Sequence, residues 1–212
     1  MQVGITQRVE CITSYGEWRD ELDQRLINWV VQAGCIPVPI PNTLINLNYP
    51  VDESSLILEQ WLADLNIQAI VLSGGNDVGQ ILHRDKTESF LLSWAEKLKK
   101  PVLGICRGMQ MMGVWSGTAL VQCSGHVKTI HKITFSDSLN GDVHFVNSFH
   151  NMVLKACPVS FDILAQSEDA TLEAMVHSML PWEGWMWHPE RENTFSSYDL
   201  NRFRELLGIE NK

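Results

Sequence analysis

Pro101-Val102-Leu103-Gly104-Ile105-Cys106-Arg107-Gly108-Met109-Gln110 is the stretch that decides how this chain folds. An apolar run reaches a cysteine, and the residues that follow take up a helical period in which methionines recur. Glycines stand two before and two after the cysteine. A sharp strand-to-helix turn crowds those two positions, so only a residue with almost no side chain fits there. The helix N-terminus then favours a thiolate electrostatically. The pattern predicts the cysteine form of a nucleophile elbow at Cys106. A buried structural cysteine in a tight turn is the plainer reading of those five residues by themselves.

On either side, short β-branched runs alternate with helical periods, the rhythm of an α/β domain. Val3 to Thr6 reads as a first strand, and Leu22, Leu26, Trp29, Val30 and Ala33 share a helical face that Gly34 ends. Ile36 to Pro41 reads as an edge strand, because Pro37 and Pro39 remove amides on the same side. Leu58, Trp61, Leu62 and Leu65 form a second stripe. Gln68 to Leu72 is a buried strand running into Ser73-Gly74-Gly75-Asn76-Asp77. Leu91, Trp94, Ala95 and Leu98 mark a third helix, whose Lys97, Lys99 and Lys100 suit its negative end. After Gly108 a Met-rich helix is expected to about Gly117. Beyond it come shorter β pieces (Lys132 to Phe135, Val143 to Asn147, Asp162 to Gln166, Leu172 to Val176, Gly184 to Trp187) and a last helix around Leu200, Phe203 and Leu207. The expectation is one α/β domain over residues 1–212, an open, mostly parallel sheet flanked by helices.

Composition agrees with a globular chain: 212 residues, 45% hydrophobic and 19% charged, exclude disorder, collagen and coiled coil. Sixteen Lys and Arg against 25 Asp and Glu give a net charge of −9, which argues against nucleic acid or an anionic membrane as partner. No apolar stretch reaches bilayer length and Met1-Gln2-Val3-Gly4 begins no charged leader, so a cytoplasmic address is expected. Cys11, Cys35, Cys106, Cys123 and Cys157 are odd in number and lack a CxxC spacing, which fits free thiols.

A thiolate that attacks a carbonyl needs a base, a group to orient that base and amides for the oxyanion. Trp187-His188-Pro189-Glu190 offers an imidazole with a carboxylate two residues on, and Gly74-Gly75 after a buried strand lets backbone N–H groups approach a substrate. The amide of Arg107, following the nucleophile, is the second oxyanion candidate. Taken singly, each of these is more simply a turn or a surface histidine. Cys123, His126 and His131 lack a fourth ligand in a spacing that is no tight zinc signature, so no metal is expected. Met109, Met111, Met112 and Trp115 read as packing under the elbow. Arg8, at the end of the first strand, stands where open α/β sheets gather ligands and is a candidate for phosphate, as are Arg19 and Arg191; pairing of Arg8 with Glu10 or Asp20 is the alternative.

The ordered set of motifs resembles the class I glutamine amidotransferase fold, a flavodoxin-like arrangement, and within it the γ-glutamyl hydrolases. The motifs are Gly74-Gly75-x-Asp77, residues 104 to 110, Val146-Asn147-Ser148-Phe149-His150, Leu172-Glu173-Ala174 and Trp187-His188-Pro189-Glu190. The resemblance implies Cys106 as nucleophile, His188 as base and acid, Glu190 as its orienter, and Gly75 and Arg107 as oxyanion amides. It implies that Gln110, Ser148 and Phe149 hold the glutamyl α-amino and α-carboxylate groups, the latter two mostly through their backbone, and it implies no cofactor. The sequence departs from the common pattern where Val78-Gly79-Gln80 and Ser116-Gly117 stand, which points to a changed leaving-group side. Ile5-Thr6-Gln7-Arg8, residues 72 to 77, Asn147 to Asn151 and Met186 to Asn193 look like the γ-glutamyl-CDP-amidate hydrolases. That branch implies a small-molecule, nucleotide-linked substrate split into glutamate and cytidine diphosphoramidate, for phosphoramidate groups of bacterial surface polysaccharide. A γ-glutamyl-amine hydrolase, a glutaminase partner of a synthetase and a catalytically silent binding module are the rival expectations. The oligomeric state is left open.

Overall fold

A computed structural model describes residues 1–45, 47–48, 55–136 and 142–209. In chain order the elements are β1 (Gln2–Thr6), β2 (Arg8–Ile12), β3 (Glu17–Glu21), α1 (Gln24–Gln32), β4 (Ile36–Ile40), α2 (Leu56–Asp64), β5 (Ala69–Leu72), α3 (Leu82–Leu98), β6 (Val102–Ile105) and α4 (Arg107–Trp115). They continue as β7 (Leu120–Gln122), β8 (Val127–Phe135), β9 (Val143–Phe149), β10 (Met152–Leu154), β11 (Phe161–Ser167), β12 (Leu172–His177), β13 (Trp182–Trp185) and α5 (Ser197–Leu206).

The main sheet has nine strands in the order β4-β1-β5-β6-β13-β12-β11-β8-β9. The first five run parallel to their neighbours, and from β13 onward every pairing is antiparallel. The parallel strands β5 and β6 are buried along their whole length. Successive residues point to opposite faces, so Ala69 and Val71 join one apolar cluster with α1 and α5, while Ile70 and Leu72 join another with α2, α3 and α4. Helices therefore cover both faces. Trp29 of α1 stacks on Phe203 of α5 with ring centroids 4.7 Å apart and meets Trp185 of β13 edge-on at 6.3 Å.

Among the described residues β4 pairs only with β1, as an edge strand, and its two prolines lie opposite Val3 and Ile5. α4 begins directly at Arg107, earlier than the glycine at 108 suggests, because Cys106 itself turns the chain with φ 51° and ψ −103°. Two pieces were not expected. β2 and β3 form an antiparallel hairpin whose residues are half-buried or exposed throughout, so it carries no apolar alternation to read. β7 and β10 form a second small antiparallel pair. Among the described residues no helix is long and apolar enough to cross a membrane. The five cysteines are free.

Candidate active site

The residues that the motifs single out leave the sheet at neighbouring strand ends. β5, β6 and β13 lie side by side with Leu72 opposite Gly104 and Trp185 opposite Ile105, so Gly74, Cys106 and His188 follow the carboxyl ends of adjacent parallel strands. Ligands bind outside that edge in open α/β sheets.

The elbow is sterically forced. A Cβ on Gly104 would lie 2.7 Å from the backbone of Gly108, and one on Gly108 would collide with the carbonyl of Leu72. Bare glycines let α4 pack directly on the ends of β5 and β6. Cys106 is held in a backbone conformation that costs a non-glycine residue about 1–3 kcal/mol. Its amide donates to Trp185 O at 2.7 Å, tying the elbow to β13.

His188 is buried, with Nδ1 2.7 Å from Glu190 Oε1. A carboxylate accepts, so this contact assigns the proton to Nδ1 and leaves Nε2 for the other neighbour. Burial works against the imidazolium, but hydrogen bonding to Cys106 and Glu190 outweighs it and raises His188 to about 9. The ring lies against Gly74, where a Cβ would come within 2.6 Å of Cε1. The backbone of His188 is clamped as well: its amide donates to Asn147 Oδ1 at 3.0 Å and its carbonyl accepts from Asn147 Nδ2 at 2.8 Å.

Gly75 has φ +126°, and a Cβ there would lie 2.8 Å from Arg84 Nη1 and from Arg8 Cβ. Beneath this turn is a buried ionic group that sequence reasoning missed. Arg84 Nη2 donates to Ser73 O at 2.6 Å and to Gly74 O at 3.1 Å, and its Nε lies 3.0 Å from Glu88 Oε1. The Arg107 guanidinium pairs with Glu88 and Asp85 and donates to Asn76 O at 3.2 Å. Burial lowers Arg84 to about 10 and Arg107 to about 9, so both stay charged at neutral pH. Asn76 in turn accepts from the amide of Val9 and donates to its carbonyl, both at 2.8 Å, fixing the β2–β3 hairpin beside the turn. A signal existed only in hindsight: Arg84 and Glu88 are an i,i+4 pair, which on most helices is a solvated one.

Arg8, the first residue of β2, makes no ion pair among the described residues; Asp20 is occupied by Asn42 at 2.8 and 2.9 Å. With Gly74, His188, Glu190 and Arg191 it lines a cavity of about 20 Å³. Arg191 lies 3.8 Å from Glu190 Oε1 and 4.5 Å over the ring of Phe149. Phe149 meets His188 edge-on at 5.8 Å. Arg19 is taken up by Glu17 at 2.6 Å and the hydroxyl of Tyr15 at 2.9 Å. A larger cavity of about 530 Å³ starts at Val9, lined also by Trp18, Gln80, Leu82 and His83. Gln110, one turn into α4, donates from Nε2 to Met152 O at 2.8 Å, leaving Oε1 as its acceptor. Ser148 spends its hydroxyl on His126 O at 2.7 Å, so its backbone is what it can offer a ligand. The arrangement thus gathers a thiol, an imidazole held by a carboxylate, and a glycine turn at one strand edge. It can carry out acyl transfer through a covalent thioester.

Three comparisons with known proteins bear on this geometry. The glutamine amidotransferase class-I family profile matches residues 33–202. The chain is 32% identical to gamma-glutamyl-CDP-amidate hydrolase of Campylobacter jejuni over 209 residues, covering 94% of this chain and 95% of that protein. It is 27% identical to a subunit of the glutamine-hydrolyzing GMP synthase of Methanocaldococcus jannaschii, over 71% of this chain and 80% of that one. Its fold superposes on the crystal structure of a GMP synthase subunit from Thermoplasma acidophilum with a TM-score of 0.72 at 20% identity, covering 99% of this chain and 93% of that chain.

Proposed function

As the chain belongs to the class I glutamine amidotransferase family, we propose that it hydrolyses a γ-glutamyl amide through a thioester on Cys106, with γ-glutamyl-CDP-amidate as substrate. The observation that carries the reading is His188 held between Cys106 and Glu190, with both neighbours favouring its imidazolium form. The Cys106 thiolate attacks the γ-carbonyl carbon, and the oxyanion is received by the amides of Gly75 and Arg107. His188 gives its Nε2 proton to the leaving nitrogen as the C–N bond breaks. The same imidazole then takes a proton from water, whose oxygen attacks the thioester and releases glutamate and the thiol. Glu190 keeps the proton on Nδ1 and stabilises each imidazolium.

On the glutamyl side, Gln110 Oε1 suits an α-ammonium, and the backbone at Ser148 and Phe149 suits the α-carboxylate. On the leaving-group side, Arg8 supplies a free guanidinium on a chain of net charge −9, and the cavity beside Val9 and Trp18 offers room and an exposed indole for a nucleoside. Cytidine diphosphoramidate is the product we assign, a donor for phosphoramidate groups on surface polysaccharide.

The test is glutamate release by the purified chain from γ-glutamyl-CDP-amidate, a γ-glutamylated amine and glutamine. The nucleotide should be the preferred substrate, and Arg8→Ala should raise its KM by roughly 10- to 100-fold while leaving an uncharged γ-glutamyl amide, which has no phosphate, unaffected. Preference for the amine, or equal loss on both substrates, overturns the nucleotide assignment and leaves γ-glutamyl hydrolysis standing.

A further inference from the structure

The antiparallel half of the sheet buries a second group of titratable side chains, none of which enters the proposed hydrolysis. His126 just before β8, His150 just after β9 and Glu173 of β12 are each almost wholly buried. Glu173 Oε1 lies 3.4 Å from His126 Nδ1 and 3.6 Å from His150 Nε2. These facing atoms, and Glu173 Oε2 with them, make no hydrogen bond. His131 of β8 brings a ring nitrogen within 4.8 Å of the ligand atoms of His126 and Glu173.

The distances discriminate between a proton and a metal ion as the missing cation. Charge-assisted hydrogen bonds run at about 2.7–2.9 Å, and this chain makes them elsewhere, at 2.7 Å for His188 with Glu190 and 2.9 Å for His126 Nε2 with Asp169. Ligands about 2.0–2.1 Å from a tetrahedral zinc ion stand roughly 3.3–3.4 Å from one another, as Glu173 Oε1 and His126 Nδ1 do.

The outer partners agree. Asp169 Oδ2 lies 2.9 Å from His126 Nε2 and its Oδ1 accepts from the Ser167 hydroxyl at 2.6 Å, so Asp169 takes the Nε2 proton of His126 and leaves Nδ1 as a lone pair aimed at Glu173. His150 has its Nδ1 3.7 Å from Cys123 Sγ, and His131 its Nε2 3.0 Å from Thr129 Oγ1. Each imidazole is engaged from outside on one nitrogen. That is how metal-ligating histidines are commonly oriented.

We propose that His126, His131 and Glu173 hold a zinc ion that cross-links the start of β8 to β12. Three protein ligands leave one position of the tetrahedron open, beside His150 Nε2, which faces the same Glu173 oxygen, and imidazole with carboxylate is a donor set that suits zinc. Since Ser148 Oγ and the amide of His150 both donate to His126 O, at 2.7 and 3.1 Å, the ion would also hold the Ser148–Phe149 segment in place. The spacing of Cys123, His126 and His131 hid the site, because Glu173 comes from another strand and Cys123 faces His150 instead.

Zinc binding is measured by dialysing the chelator-stripped full chain against buffered zinc chloride and counting metal per chain by mass spectrometry, with folding followed by circular dichroism. One zinc per chain is expected. Asp169→Asn, on an exposed turn, should still fold and should bind zinc about 10- to 100-fold more weakly, the usual effect of losing an outer partner. Glu168→Gln, its exposed neighbour, should bind as the wild type does. No zinc on the wild-type chain, or equal affinity in Asp169→Asn, overturns the site.

Discussion

In the parallel half of the sheet β5, β6 and β13 are each buried along all four of their residues, whereas in the antiparallel wing β8 and β9 alternate and leave Ile130 and Phe145 about three-quarters exposed. The difference separates two tasks. Strands buried on both faces cannot slide or tilt, so groups at their carboxyl ends, Gly74, Cys106 and His188, are placed by the core itself. The wing has one covered face and brings single side chains to the site: Phe149 of β9 meets the His188 ring edge-on and lies under the Arg191 guanidinium. Substitutions in the first half should therefore act on the chemical step and on stability, and those in the wing on substrate affinity.

The largest of the effects that sharpen this contrast is expected at Glu190. Glu190→Gln should lower kcat by about 10²–10⁴-fold, because the amide no longer fixes the His188 tautomer. It also removes one of the influences raising His188. A folded pKa of about 9 against an unfolded value of 6.5 means that the native state holds the extra proton between those values, so this stability contribution is full below pH 6.5 and is lost as pH rises through 9. Thermal unfolding of Glu190→Gln across that window should fall less steeply than wild type; identical slopes would remove the carboxylate from its proposed role.

Next is Glu88, buried between Arg84 and Arg107. Glu88→Gln leaves two guanidinium groups with Asp85 as their remaining acidic partner, and should cost about 3 kcal/mol or more in urea unfolding. A loss under about 1 kcal/mol would mean that the turn at Gly74 stands without this network. The smallest effect belongs to the wing: Phe149→Leu gives up the Arg191 contact at 4.5 Å and should raise KM by about 2- to 5-fold with kcat nearly unchanged. A change confined to kcat would break the division between the halves.

Much of the parallel half was legible because its signals are local. The run at Ala69–Leu72, the proline-bearing edge strand and the glycines around Cys106 are set by neighbours in sequence, as is the two-residue step from His188 to Glu190. What escaped reading is set by residues far apart. The β2–β3 hairpin has no buried face, and Arg84 and Glu88 sit in a charged helical stretch whose burial depends on Ser73, Thr6 and Arg107. The His126–His150–Glu173 group exists only once β8, β9 and β12 are folded together.

The proposed hydrolysis depends on covalent chemistry at Cys106, and acid-quenched mass spectrometry during turnover addresses it directly. A glutamyl adduct should be found on the peptide carrying Cys106, with Cys11, Cys35, Cys123 and Cys157 unmodified, and Cys106→Ala should show neither adduct nor glutamate release while remaining folded. An adduct on another cysteine, or wild-type turnover by folded Cys106→Ala, would contradict it.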